Sequence, residues 1–148
     1  MEITVSTVFD VATYILEKHS SMTHMKLQKL VYYSQAWSLV WDEEPLFADP
    51  IRAWANGPVV PSLFSQLQGK FKVMASELAP GSSANLTPEQ KESIDRVLAF
   101  YGDKDPQWLS DLTHMEPPWV NARRGLGPGD RGNQEITHAS MAEYYGGL

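Results

Sequence analysis

A mainly α, single-domain fold is what this sequence predicts, and three observations carry the prediction. Apolar residues recur at helical spacing around Val8–Leu16, Leu27–Trp41 and Ile94–Tyr101. A capping residue stands ahead of each helical stretch: Thr7, Thr23, Thr87, Asp105 and Thr137. Alternation at strand period is confined to Ile51–Ala55, so at most a short extended or β segment is expected near residues 51–60. At 148 residues the chain is long enough to bury a core without metal or disulfide, and one domain spanning residues 1–148 is expected.

The first helix places Val8, Val11, Ala12, Ile15 and Leu16 on one face. Ser6 or Thr7 caps it, Asp10 completes a capping box with Thr7, and it should end near His19–Ser21. Thr23 caps a long second helix whose Leu27, Leu30, Ser34, Trp37 and Trp41 share a face flanked by Val31. That helix should stop at the acidic turn Asp42-Glu43-Glu44-Pro45, because the residue before a proline resists helical geometry. Ile51–Ala55 then reads as an edge strand or extended arm, followed by an Asn56-Gly57 turn. Pro58 lacks an N–H, so a regular hairpin ladder is not expected to continue there. Pro61 opens a short helix with Leu63, Phe64 and Leu67 inward, closed by Gly69. Ala79–Asn85 is a loop. Thr87-Pro88-Glu89-Gln90 starts a helix with Ile94, Val97, Leu98 and Tyr101 inside and Gly102 at its end. Asp105-Pro106 starts another through Trp108, Leu109 and Leu112, with Trp108 on the inner face. The chain breaks and restarts at Glu116-Pro117-Pro118-Trp119. A glycine-rich loop follows at Gly125–Gly132, and Thr137 caps a last helix through Met141, Ala142 and Tyr145.

Composition narrows the function classes. No cysteine is present, which removes disulfides, thiolate zinc sites and a cysteine nucleophile, and suits a reducing cytoplasm. A formal charge of −6 argues against nucleic acid as a partner, since phosphate-backbone binding needs clustered Lys and Arg. The start Met1-Glu2-Ile3-Thr4 has no basic region and no long apolar run, so no signal peptide is expected. No apolar run is long enough to span a membrane.

Candidate chemistry is sparse. Gly127, Gly129 and Gly132 spell a G-x-G-x-x-G, but a dinucleotide site needs a strand before it and a helix opening at it. Here a proline-rich helical stretch precedes it, so a surface loop is the better reading. His19, His24, His114 and His138 form no metal-ligand spacing, and neither cofactor nor metal is expected. His114 lies three residues after Asp111 and could orient a hydrolytic water, which keeps a small hydrolase or transferase open as an alternative. Asp42-Glu43-Glu44 reads as a solvated turn, and Arg123-Arg124 as charge complementing a helix C-terminus. The aromatics Trp41, Phe47, Trp54 and Trp119 stand at element ends or turns, where they either anchor an interface or cap a small core.

The run Lys26-Leu27-Gln28-Lys29-Leu30-Val31-Tyr32-Tyr33-Ser34-Gln35-Ala36-Trp37 resembles the signature of the Panacea domain, also called SocA-like or DUF4065, which includes phage-associated proteins of the GepA type. The resemblance continues through Pro45-Leu46-Phe47, Ile51–Trp54 and Asn56-Gly57-Pro58-Val59-Val60-Pro61. It resumes at Leu112-Thr113-His114, Pro118-Trp119, Ile136 and Tyr144-Tyr145. It implies a mainly helical fold without catalytic residues. The implied role is an antitoxin that neutralises a cognate toxin protein by direct binding, or an adaptor that delivers the toxin to a ClpXP-type protease. Gln28 and Gln35, seven residues apart, are expected to tie the Asn56-Gly57 turn to the second helix. Contact with the partner is expected at Trp41, Phe47, Trp54, Asn56, Val59, Leu63 and Trp119.

Overall fold

The computed structural model describes residues 6–78 and 81–148. The expectations for Met1–Thr4 and for the first two residues of the Ala79–Asn85 loop lie outside the described residues. The helices are α1 (Val8–His19), α2 (His24–Trp41), α3 (Pro61–Leu67), α4 (Pro88–Tyr101), α5 (Pro106–Thr113), α6 (Pro117–Ala122) and α7 (His138–Gly146). Five short strands accompany them among the described residues: β1 (Met22–Thr23), β2 (Ile51–Trp54), β3 (Gly57–Val59), β4 (Lys72–Val73) and β5 (Glu135–Ile136). The fold is mainly helical, as the sequence predicts.

Helix α2 is the axis of the molecule. It packs against α1, α3, α4, α5, α7 and β3. From Leu27 to Ala36 every residue is buried, polar ones included. A helix covered on all sides needs apolar residues or satisfied polar ones all round, and α2 has both. Trp37 and Trp41 stack on each other at 5.1 Å near its C-terminal end. The helix starts are capped as expected. Thr7, Thr23, Thr87, Asp105 and Thr137 each accept a backbone N–H, and Thr7–Asp10 and Thr87–Gln90 form capping boxes. Thr87→Ala is expected to lower stability by about 1 kcal/mol, read as a small fall in the urea midpoint at unchanged slope.

The hairpin differs from expectation. Strands β2 and β3 pair antiparallel through Pro58, with Arg52 opposite Val59, Ala53 opposite Pro58 and Trp54 opposite Gly57. The ladder tolerates Pro58 because Ala53 turns its polar groups the other way. Its N–H donates to Gln134 O at 2.8 Å, and its carbonyl accepts from Arg123 at 2.9 Å. The Ala53–Pro58 pair therefore asks for no proline N–H. The turn is Ala55-Asn56, and Gly57, at φ +121°, opens the return strand.

β5 adds a third strand on the far side of β2, with Ile51 opposite Ile136. β1 and β4 form a separate two-stranded pair. Pairs of two residues carry no readable period, so neither was visible in the sequence. Two further expectations change. Trp108 is 41% exposed rather than inside. Arg123 is buried and holds the glycine-rich loop by donating to Gly127 O and Asp130 O, so its role is not merely that of a terminal helix charge.

Candidate functional site

Two glutamines fix the segments that leave α2. Gln35 accepts from Leu46 N at 2.7 Å and donates to Phe47 O at 2.9 Å. Gln28 accepts from Val60 N at 2.9 Å and donates to Val60 O at 3.5 Å. A carboxamide carries both a donor and an acceptor, so each can stand in for a neighbouring strand to a buried backbone. The expected tie to the Asn56-Gly57 turn is made instead by Lys29. Its Nζ donates to Pro58 O at 3.4 Å, and a Cβ on Gly57 would fall 2.5 Å from Lys29 Cε. Gly57 is thus needed twice, for its positive φ and for the lysine beneath it.

Lys29 is only 3% exposed and has no carboxylate within ion-pair distance among the described residues. Burial pulls its ammonium down to about 8. Glu116 is the opposite case, a buried carboxyl receiving Tyr33 Oη and Tyr145 Oη, each at 2.7 Å. Burial pushes it above the usual carboxylate range despite those two donors. The tyrosines thereby tie α7 and the α5–α6 junction to α2.

The hairpin so held forms one wall of an open groove of about 820 Å³, lined by Trp54, Ala55, Asn56, Phe64, Gln68, Arg131, Gly132 and Asn133. Trp54 and Phe64 meet edge to face at 5.0 Å. Trp54 Nε1 donates to Asn133 Oδ1 at 3.0 Å, which locks the indole to the opposite wall. The aromatic pair supplies apolar contact area, and the rim supplies three carboxamides and a guanidinium. That composition suits recognition of another molecule.

Of the expected contact residues, the groove brings together Trp54 and Asn56. Phe47 and Leu63 are 1% and 0% exposed, and Val59 is 6% exposed. All three pack inside and present no side-chain surface to a partner. Phe47 is drawn in because Gln35 clamps its backbone, and Leu63 because it lies on the inner face of α3. Trp119 is also buried, its Nε1 donating to Trp54 O at 2.9 Å, so it buttresses the groove from behind. Trp41 lies at the far end of α2 under the Arg96 guanidinium, 3.8 Å from its ring. Phe64, Gln68, Arg131 and Asn133 went unforeseen. Phe64 read as core, and nothing in the sequence places residue 133 beside residue 54.

The His114–Asp111 pair is not assembled. Asp111 accepts from Gln107 at 2.8 Å. His114 stacks on Trp119 at 4.2 Å, with its Nε2 buried and without a partner. A backbone hydrogen bond links it to Asn56, while burial and Lys29 hold its basicity below the ordinary histidine value. A general base needs a ring nitrogen open to substrate, and the His114 Nε2 is buried while Asp111 is engaged by Gln107. Among the described residues no group of His, Asp or Glu is placed to hold a metal ion. No helix among them is long and apolar enough to cross a membrane.

The class these features define is a mainly helical domain built on one buried axial helix, with a hairpin-walled groove on its surface. The chain belongs to the SocA-like antitoxin family. Residues 27–120, more than half of the chain, match the family model described as "Antitoxin SocA-like, Panacea domain". No curated protein and no solved structure matches the chain.

Proposed function

We propose that this protein is an antitoxin that neutralises a cognate toxin protein by binding it directly, and that the groove between the hairpin and the 131–133 segment is the contact surface. The observation that carries the reading is the groove's composition. A locked aromatic pair lies among Asn56, Gln68 and Arg131, whose side chains have no hydrogen-bond or ionic partner among the described residues. Membership of an antitoxin family supplies the class of partner.

Mechanistically, the domain acts by occupancy. The rigid hairpin is clamped to α2 through Lys29 and Gln28, so little ordering entropy is lost when a partner seats on it. Inhibition follows if the seated surface includes, or locks, the toxin's own working site.

The test uses the product of a neighbouring reading frame that arrests growth when expressed alone. Co-expression with the wild-type domain is expected to restore growth. Trp54→Ala, with the far-UV and thermal profile retained, is expected to weaken binding at least tenfold, as a central aromatic anchor does. A Trp54→Ala variant that binds and rescues as well as wild type would refute the groove as the contact surface.

A further inference from the structure

We infer that the groove takes an anionic partner segment, an extended peptide that sets a carboxylate on Arg131 and an apolar side chain on the Trp54–Phe64 pair. This rests on the reading of the groove as the partner-binding surface and goes beyond it in naming the chemistry of what binds.

The charge pattern carries the inference. The protein as a whole is acidic, at −6. The residues lining the groove include one charged side chain, Arg131, and no carboxylate. Two more cations stand directly behind the lining. Lys29 lies under Gly57, the residue next to Asn56 in the groove wall. Arg123 donates to Ala53 O, next to Trp54, and its Nη1 would meet a Cβ on Gly132 at 3.0 Å. Both are buried, at 3% and 4% exposed.

Neither buried cation has a counter-ion among the described residues. Among the described residues the one ion pair is Lys70–Glu77, which involves neither of them. Lys29 and Arg123 donate to backbone carbonyls, and the Arg123 guanidinium also lies 5.2 Å from the Trp119 ring. Asp130 and Glu135, which flank the lining residues 131–133 in sequence, do not line the groove. Asp130 turns its carboxylate onto Gly127 N at 2.7 Å, and Glu135 sits opposite Arg52 on β5, outside the lining. A buried unpaired cation is destabilising unless something repays it. Here two of them project positive potential through a low-dielectric wall into one concavity, which focuses the field there.

The rim chemistry agrees. The carboxamides of Asn56, Gln68 and Asn133 can donate to peptide carbonyls along an extended chain. The volume is that of a pocket for a drug-sized ligand, about 300–1,000 Å³, and so suits a short run of residues. An edge-to-face aromatic pair leaves no parallel slot for a nucleobase, which favours a peptide over a nucleotide.

The test is a selection of randomised, end-capped linear heptapeptides displayed on phage, panned against the wild-type protein. Peptides rich in Asp and Glu with one aromatic or aliphatic residue are expected. Their affinity should fall at least tenfold with Arg131→Glu and threefold or more with Lys29→Met, both variants folding normally. It should also weaken as salt rises. Selected peptides that are basic or uncharged, or that bind Arg131→Glu undiminished, would overturn the inference. So would a failure to select any peptide, or a Trp54 indole resonance that moves with ADP or inorganic phosphate but not with acidic peptide. The two readings separate in the toxin-binding assay. Loss of binding in Trp54→Ala with full binding in Arg131→Glu sinks the anionic segment and leaves the groove standing.

Discussion

Gln35→Ala is expected to destabilise the fold by about 4 kcal/mol, the sum of two buried backbone groups left without partners at about 1–3 kcal/mol each, with a side-chain cavity added. The residue is fully buried, and its carboxamide holds Leu46 N and Phe47 O. Without it, the turn back over α2 keeps only the hydroxyl bonds of Ser38 to Glu44 O and of Ser6 to Leu46 O, and Leu46 and Phe47 are held less firmly in the core. At 2–4 °C per kcal/mol for a domain of this size, a melting-temperature drop of roughly 10 °C follows. Gln35→Glu distinguishes the clamp from simple packing. Its carboxylate still accepts from Leu46 N but repels Phe47 O, and protonation restores the donor. Its deficit should therefore shrink as pH falls through the range in which the new carboxyl gains its proton. A deficit unchanged with pH would assign Gln35 to packing alone.

Lys29→Met carries the second large effect, with the opposite sign. In the unfolded chain the lysine titrates near 10.5, and burial lowers it to about 8 in the native fold. Between those values the unfolded chain holds a proton that the folded chain has lost, so the lysine's destabilising contribution is relieved as pH rises through that window. At 1.36 kcal/mol per pH unit the gap is worth about 3 kcal/mol. At pH 7 the methionine variant should be more stable by about 2 kcal/mol, the lost bond to Pro58 O offsetting part of the gain. Its advantage should fade by pH 10. Buried tyrosines oppose the trend at still higher pH, since Tyr14 and Tyr101 are pushed up to about 12, but they act on both variants alike. Chemical denaturation of the pair at pH 7 and pH 10 reads the difference. An advantage equal at both values would mean that burial does not lower the Lys29 ammonium and that folded and unfolded chains hold its proton alike.

The helices were legible because their signals are local. Thr7 with Asp10, and Thr87 with Pro88 and Gln90, each announce a helix within four residues, and the apolar stripes beyond them confirm its length. The hairpin was half legible. Alternation marked β2, but Pro58 argued against β3, and only the orientation of Ala53 shows why proline is harmless there. The groove was mostly hidden. Trp54 and Asn56 were readable as turn residues with contact potential. Their partners Phe64 and Asn133 come from α3 and from the segment after the glycine-rich loop, brought in by Arg123 and β5 over a long sequence separation. Conversely, Phe47 and Leu63 looked like contact residues because of where they stand in sequence. Their burial depends on Gln35 and on the rotation of α3, neither of which any single stretch reveals.

The most direct test of the central claim is backbone amide hydrogen exchange of the protein alone and in complex with its toxin. Added protection is expected at residues 52–56, 64–68 and 131–133, around the groove. The contradicting result is protection confined to other exposed apolar surface, such as Phe71 with Met74 or Phe100 with Trp108, and none at the hairpin.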